Sequence, residues 1–367
     1  MTAEGGARRD GAGVLTAARV PHAGGRAVLR ASGGRVSLIV HRRGALVVLI
    51  LAAFTVALAA VAVTLGTYPI SIPQIADAFA GGGSDGVRRI VLEGRLPRIV
   101  MAVIAGAALA MSGAVFQSMT RNPLGSPDII GFNTGAYTGA LVVVLLLGGN
   151  YIAQSAGALV GGLAAAVLVY LLAWTKGVQG FRLIVVGIAV GAILHSINAW
   201  LIIRARLEEA LAAATWGAGS FNEVGWEQVV PVGVAVLVIL PVLVLFARPL
   251  ALLEMGDETA ESLGVRPELT RAVLVLAGVA LVAAITAAAG PIAFVALAAP
   301  QLARRLARSP GVALLPSAAM GAALMLASDV AAQRLLAPTQ LPVGIVTVCI
   351  GGLYLVGLLI AQTRRQG

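Results

Sequence analysis

The sequence is poor in the residue types that build catalytic and metal sites. Its single cysteine, Cys349, excludes an internal disulfide and a metal site built from cysteines. Its three histidines, His22, His41 and His195, are far apart in sequence and form no zinc-type motif. The phosphate-binding pattern GxxxxGK[ST] and the metalloprotease pattern HExxH are both absent. We therefore expect no catalytic residues, no metal and no cofactor on this chain.

Charged residues are also scarce, at 11% of the chain, whereas a soluble domain carries about 25%. Hydrophobic residues make up 59% of the 367 positions, and the mean hydropathy is +0.95. A soluble fold of this length could not bury so much apolar surface. The composition therefore predicts an all-α, polytopic membrane protein.

Apolar stretches long enough to cross a bilayer recur along the chain. A span needs roughly 20 apolar residues. One stretch, 291–302, is short for a crossing of its own. The ten candidates are 44–65, 97–117, 128–147, 152–173, 183–203, 229–247, 271–289, 291–302, 312–333 and 342–361. They predict a membrane domain of about ten helices over residues 44–361.

The net charge of +10 is concentrated at the N-terminus, where residues 1–43 contain eight arginines and two acids. A basic arm can bind nucleic acid, but this one directly precedes a span, where basic residues hold a segment in the cytoplasm. With both termini cytoplasmic, the cytoplasmic segments carry nineteen basic residues and the other side seven. We expect a multi-pass membrane protein with a mostly disordered cytoplasmic arm (1–43), a cytoplasmic tail (362–367) and no nucleic acid partner.

A cytoplasmic segment at 249–268 is polar and has the pattern of a helical hairpin. From Leu250 it reads LALLEMGDETAESLG. We expect two short helices separated at Gly256, with Asp257 capping the second and Gly264 ending it in the left-handed conformation. An ordered hairpin between two spans predicts a docking element for a cytoplasmic partner.

Four blocks of sequence resemble one transport family. They read RLPRIVMAVIAGAALAMSGAVFQSMTRNPLGSPDIIGFNTGA from Arg95, LEMGDETAESLGV from Leu253, GPIAFVALAAPQLARRL from Gly290, and QLPVGIVTVCIGG from Gln340. In this order and spacing they resemble FecCD-type permeases, which import ferric siderophores, haem and vitamin B12. The resemblance runs from about residue 44 to 361.

The resemblance implies the type II permease fold of ABC importers, in the inner membrane of a bacterium. Two permeases of ten helices each, either identical or related, would enclose a central path, and the heterodimer is favoured. Two ATPase subunits carrying ATP and magnesium would dock beneath them, and a substrate-binding protein would dock outside. Each permease would then be a transport subunit without enzymatic activity.

The resemblance also assigns roles at the two ends of the path. Arg95 and Arg98 match an external RLPR pair that meets glutamates of the binding protein, and an arginine fork suits carboxylates. Arg334 lies near a third such position, although Gln333 aligns with it more closely. The alternative for such arginines is contact with lipid headgroups.

The cytoplasmic gate is expected at Asn122 and Leu124, where the alternative is a tight turn that Asn122 caps. A second gate would lie at Gln179, Gly180 and Phe181, where the sequence departs from the serine and threonine pattern of the vitamin B12 importer. The bulky side chain of Phe181 would close the path differently.

The 249–268 hairpin matches the family's coupling helices, which sit in a groove of the ATPase. The matching positions are Glu254, Gly256, Asp257, Ala260, Leu263 and Gly264. The chain departs from the family at two positions. Gln301 stands where the family has a histidine after proline, and Gln340 stands where the family has a glutamate before Leu-Pro. Each removes a titratable group and argues against proton chemistry there.

Polar residues inside the spans are candidates for lining the path, although helix packing is the alternative for each. They are Gln117, His195 and Asn198. Asp329, near the external interface, is expected to pair with Arg334.

The run NPLGSPDIIGF resembles permeases for ferric siderophores of the catecholate, enterobactin type, which predicts that cargo. Haem or vitamin B12 is the alternative within the family. A stand-alone secondary transporter would need intramembrane charges, which are few here. An intramembrane enzyme would need a catalytic set around His195, and the sequence offers no partner base.

Overall fold

A computed structural model describes residues 16–18, 26–30, 37–66, 68–128, 131–174, 180–309 and 311–366. Three short strands precede the membrane part: β1 (Thr16–Ala18), β2 (Arg26–Arg30) and β3 (Ser37–His41). They pair antiparallel in the order β1-β2-β3. The predicted disorder of the basic arm falls largely on residues outside these ranges.

The rest of the described chain is built from helices. Two π-helical segments, Arg89–Arg95 and Val142–Leu146, extend the helices next to them. The helices are α1 (Arg42–Thr64), α2 (Ile72–Phe79), α3 (Asp85–Arg88), α4 (Leu96–Thr120), α5 (Phe132–Leu141), α6 (Tyr151–Ala173), α7 (Gly180–Arg204), α8 (Leu207–Gly217), α9 (Trp226–Leu253), α10 (Asp257–Ser262), α11 (Pro267–Ala289), α12 (Val295–Ala307), α13 (Leu314–Arg334) and α14 (Val343–Gln366).

Each of the ten predicted stretches coincides with one of these helices, which confirms the all-α membrane fold. Among the described residues, seven helices are long and apolar enough to cross a membrane unaided. Phe132–Leu146 and Val343–Gly357 are shorter apolar helices. The predicted short stretch is α12, with 13 residues. The prediction of about ten membrane helices is therefore approximate, because three of the ten are shorter than a full crossing.

The core is centred on α4, which is buried along nearly its whole length and packs against α11, α12 and α13. Small residues allow this close approach. A Cβ at Gly113 would lie 1.7 Å from the carbonyl oxygen of Ala296 on α12. A Cβ at Gly106 would lie 2.2 Å from the carbonyl oxygen of Gly321 on α13. These contacts hold the middle of α4 in a fixed position against α12 and α13.

Candidate functional site

The hairpin that the sequence predicts at 249–268 is formed by the end of α9 and by α10. Gly256 separates the two helices with a φ of +121°, and Gly264 follows α10 with a φ of +81°. The predicted left-handed end at Gly264 is confirmed. The prediction of two short helices is wrong for the first, because α9 continues unbroken from the membrane to Leu253.

Asp257 has a different role from the predicted cap. Gly256 occupies the N-cap position of α10, and Asp257 is the first helical residue. Its carboxylate accepts hydrogen bonds from Arg121 at 2.9 Å and from Arg271 at 2.6 Å. Burial raises the pKa of Asp257, but the hydrogen bonds and charges of Arg271 and Arg121 outweigh it and hold this pKa below its ordinary value. Asp257 is therefore ionised at neutral pH and tied to two other helices.

Glu254, the C-cap residue of α9, makes a second connection from the hairpin to the bundle. It accepts a hydrogen bond from the hydroxyl of Ser118 on α4. Its carboxylate also lies 3.6 Å from the guanidinium of Arg304 on α12. Because Glu254 and Asp257 both contact the last turn of α4 or its cap, a shift of the hairpin must act on that end of α4.

The residues of the predicted gate directly follow Arg121, which Asp257 holds. Arg121 ends α4 in the left-handed conformation, with a φ of +50°, and its guanidinium also donates to the carbonyl of Leu253 at 2.7 Å. The side chain of Asn122 accepts from the backbone N–H of Leu124 at 2.9 Å. Asn122 therefore stabilises a tight turn, which is the alternative given for it above, and the turn leaves Leu124 exposed.

Arg98, one of the arginines predicted to dock a binding protein, is held inside this chain. Arg98 on α4 donates through Nε and Nη2 to the carboxylate of Asp329 on α13, at 2.9 to 3.1 Å, and through Nη1 to Gln340 at 2.8 Å. The side chain of Asp329 is fully buried and that of Arg98 is 12% exposed. The expected pairing of Asp329 with Arg334 is wrong, because Arg98 takes both carboxylate oxygens.

Comparison with known proteins fits this architecture. Residues 48–361 match the FecCD transport family. The chain belongs to the FecCD transport family. The FecCD chain is 47% identical over 301 residues to the ferric enterobactin transport system permease protein of Escherichia coli, covering 82% of this chain and 91% of that one.

A second relative is the achromobactin transport system permease protein of Dickeya dadantii, 36% identical over 81% of this chain and 86% of that one. Among solved structures, an inward-facing putative metal-chelate type ABC transporter superposes with a TM-score of 0.77 at 28% identity. That match covers 87% of this chain and 99% of the other. The resemblance drawn from the sequence is confirmed, and the chain is a multi-pass transport permease of the ABC type.

The other two arginines of the predicted docking set in this FecCD permease differ in their contacts. Arg95 donates from Nη1 to the carbonyl of Val63 at 2.7 Å and from Nη2 to that of Tyr68, so backbone carbonyls hold it. Arg334, at the end of α13, is exposed. The docking role of the three arginines stays a prediction, and their contacts favour Arg334 as the charge open to a partner.

The predicted second gate is described only in part. Gln179 lies outside the described residues. Gly180 begins α7, and the side chain of Phe181, in the first turn, is 79% exposed. An exposed phenylalanine at a helix start is available for a contact outside this chain, and the gating role stays a prediction.

Two of the three polar residues proposed for the path lie inside the helix packing. Gln117 is 2% exposed and donates to the carbonyl of Leu297 at 2.9 Å. Asn198 is 3% exposed and donates to the carbonyl of Thr134 on α5 at 3.4 Å. Burial favours the packing alternative for both. His195 is exposed on α7 and stays a candidate for the path.

Gln301 has a role that the sequence did not reveal. Its amide donates to the carbonyl of Pro123 at 2.7 Å, and its side-chain oxygen accepts from the hydroxyl of Tyr354 at 3.1 Å. It therefore joins the turn at 122–124, where the gate is predicted, to α14. The only signal was its departure from the family histidine, which indicates the loss of a titratable group but not this pair of bonds.

Gln301→Leu is expected to loosen the turn at 122–124, because the carbonyl of Pro123 and the hydroxyl of Tyr354 lose a hydrogen-bond partner in a partly buried site, at a net cost of about 0.5–1.5 kcal/mol. Hydrogen exchange at the amides of Asn122 and Leu124 should accelerate roughly tenfold, the factor for about 1.4 kcal/mol. Tyr354→Phe is the matched control, since it leaves the bond to Pro123 in place. Unchanged exchange at both amides in Gln301→Leu would count against this role.

Proposed function

We propose that this chain is the membrane-spanning permease subunit of an ATP-driven importer that moves a ferric siderophore into the cytoplasm by alternating access. The observation that carries the mechanism is the ionised contact between Asp257 on the hairpin and Arg121 at the gate turn. The cargo rests on the similarity to the ferric enterobactin permease. A ferric siderophore of the catecholate type is therefore the proposed cargo, and haem or vitamin B12 is the second choice.

The hairpin is the proposed contact for two cytoplasmic ATPase subunits, which would hold ATP and magnesium. Two of its side chains point outward and are free to enter a groove of a partner: Met255 is 67% exposed and Leu263 is 58% exposed. Ala260 is fully buried at its base. The outer face offers docking contacts, and the inner face, with Glu254 and Asp257, passes motion to α4.

Motion would reach the gate through a short chain of contacts. When the ATPases move the hairpin, Asp257 displaces Arg121, and the next three residues form the turn that presents Leu124. Gln301 would transmit the same displacement to α14 through Tyr354. A rigid pair of short helices can pass a domain motion to a gate in this way.

The proposed assembly also includes a second permease and an external binding protein. We favour a second permease that is related to this chain over an identical copy. The membrane is proposed to be the bacterial inner membrane, with both termini cytoplasmic. This orientation is supported by the nineteen of 26 basic residues that it places in cytoplasmic segments.

Docking of the binding protein is proposed to depend on the charge of Arg334. Because charges at the rim of an interface act mainly on the association rate, Arg334→Glu should slow binding-protein association about 3–10-fold at low salt. The loss should shrink at higher ionic strength, since exposed charges are screened. Arg334→Lys keeps the charge and should bind almost as the wild type does. Equal association rates for Arg334→Glu and Arg334→Lys at low salt would refute the assignment.

The cargo is tested by the ATPase activity of the reconstituted complex with its binding protein. We expect a ferric catecholate siderophore to stimulate hydrolysis, with haem and vitamin B12 giving little response. Stimulation by haem or vitamin B12 alone would reassign the cargo within the family.

A further inference from the structure

An apolar groove between α6, α9 and α11 is not used by the proposed transport mechanism. It has a volume of about 580 Å³ and is lined almost entirely by apolar atoms. Its floor is made of small side chains on α11, among them Ala280, Ala284 and Ala287. Such a volume lies in the range of sites that hold small molecules.

The groove has the length of one bilayer leaflet. It extends along α9 from Glu227 to Ile239 and along α6 from Tyr151 to Leu163. Twelve residues of helix rise roughly 18 Å. Half of a hydrocarbon core is about 15 Å thick. The groove therefore begins at one membrane interface and ends near the bilayer centre.

The interfacial mouth of the groove is polar and acidic. Tyr151, Glu227 and Gln228 surround it, and Glu227 is the one charged side chain among the described residues that line the groove. Glu223 lies in an adjoining external cavity that shares Tyr151. Carboxylates at the mouth repel an anionic headgroup and attract an ammonium group.

We propose that this groove binds one acyl chain of a phospholipid whose headgroup carries a primary ammonium, such as phosphatidylethanolamine. The chain fills the apolar groove, and the ammonium pairs with Glu227. Tyr151 and Gln228 lie at the level of the phosphate. The proposed membrane orientation places the groove in the external leaflet. No other part of this proposal depends on that orientation.

The test uses the full-length chain with its partner subunits, reconstituted into equal amounts of phosphatidylethanolamine and phosphatidylglycerol with matched acyl chains. After mild extraction, native mass spectrometry counts the retained lipids. We expect about threefold more phosphatidylethanolamine than phosphatidylglycerol per copy, the size of a partly exposed ion pair. Glu227→Lys should reverse the preference.

Two further variants separate the groove from the surrounding surface. Ala284→Phe fills the floor of the groove and should remove the retained lipid. Val238 is 68% exposed on α9 and does not line the groove, so Val238→Phe should keep the lipid. If Ala284→Phe does not fold, Glu227→Gln should still abolish the headgroup preference.

Equal retention of the two lipids by the wild type would overturn the proposal, as would a preference that Glu227→Lys leaves unchanged. Efficient cross-linking of Leu159→Cys to the second permease would also overturn it, because a protein would then cover the groove. Lipid retention involves neither cargo nor ATP, so its failure is distinct from a failure of the transport function.

Discussion

Proline at Ala260 is expected to abolish uptake while leaving the membrane domain folded. The backbone N–H of Ala260 donates to the carbonyl of Gly256 at 3.0 Å, and proline removes this bond and introduces a ring that clashes with the preceding turn. The cost of about 3 kcal/mol falls on a helix of six residues. Because this cost destabilises the conformation of the hairpin that docks on the ATPase, uptake should fall by roughly 100-fold.

The readout is uptake together with ATP hydrolysis by the reconstituted complex. In Ala260→Pro we expect basal hydrolysis to persist and its stimulation by cargo to disappear, because the ATPases remain intact but no longer act on the gate. Ala260→Ser keeps the helix and is the control. Wild-type uptake in Ala260→Pro would contradict the coupling role of the hairpin.

Asp329→Ala is expected to lower the free energy of unfolding by about 3–5 kcal/mol. This is the range for removing one partner of a buried ion pair, since the other charge is left without compensation. Among the described residues, Arg98 would then keep Gln340 as its one side-chain partner. The loss should appear as a large fall in the thermal unfolding midpoint of the purified permease.

A matched control is available in the π-helical segment that precedes α4. Arg89 and Glu93 form an ion pair at 3.6 Å with side chains 81% and 67% exposed. Glu93→Ala should therefore cost no more than about 1 kcal/mol. Combining Asp329→Ala with Arg98→Leu should recover much of the lost stability, because the uncompensated charge is removed. If Asp329→Ala and Glu93→Ala have equal effects, Arg98 is not held as described, and its proposed docking role regains support.

The sequence predicted the features that depend on local pattern. Apolar stretches located the membrane helices, and the glycines at 256 and 264 located the bends of the hairpin, because helix periodicity and backbone conformation are set within a few residues. The prediction that Asp257 caps α10 was wrong because a local pattern does not show which groups contact a side chain. Any aspartate before a helix matches the capping pattern, and only the fold shows that Arg121 and Arg271 take its carboxylate.

Contacts between distant residues could not be predicted in this way. Arg98 and Asp329 are 231 residues apart, and Gln301 lies 178 residues from Pro123. No local pattern indicates which of several arginines the carboxylate of Asp329 meets. The family resemblance supplied roles for positions such as Arg98, but it did not supply the partners that this chain gives them.

The most direct test of the proposed function is uptake of a ferric catecholate siderophore into vesicles that contain the complete complex and its binding protein. With ATP supplied on the side of the hairpin, we expect the siderophore to accumulate, and without ATP we expect none to do so. Accumulation that continues without ATP would contradict an ATP-driven importer and would require a different source of energy.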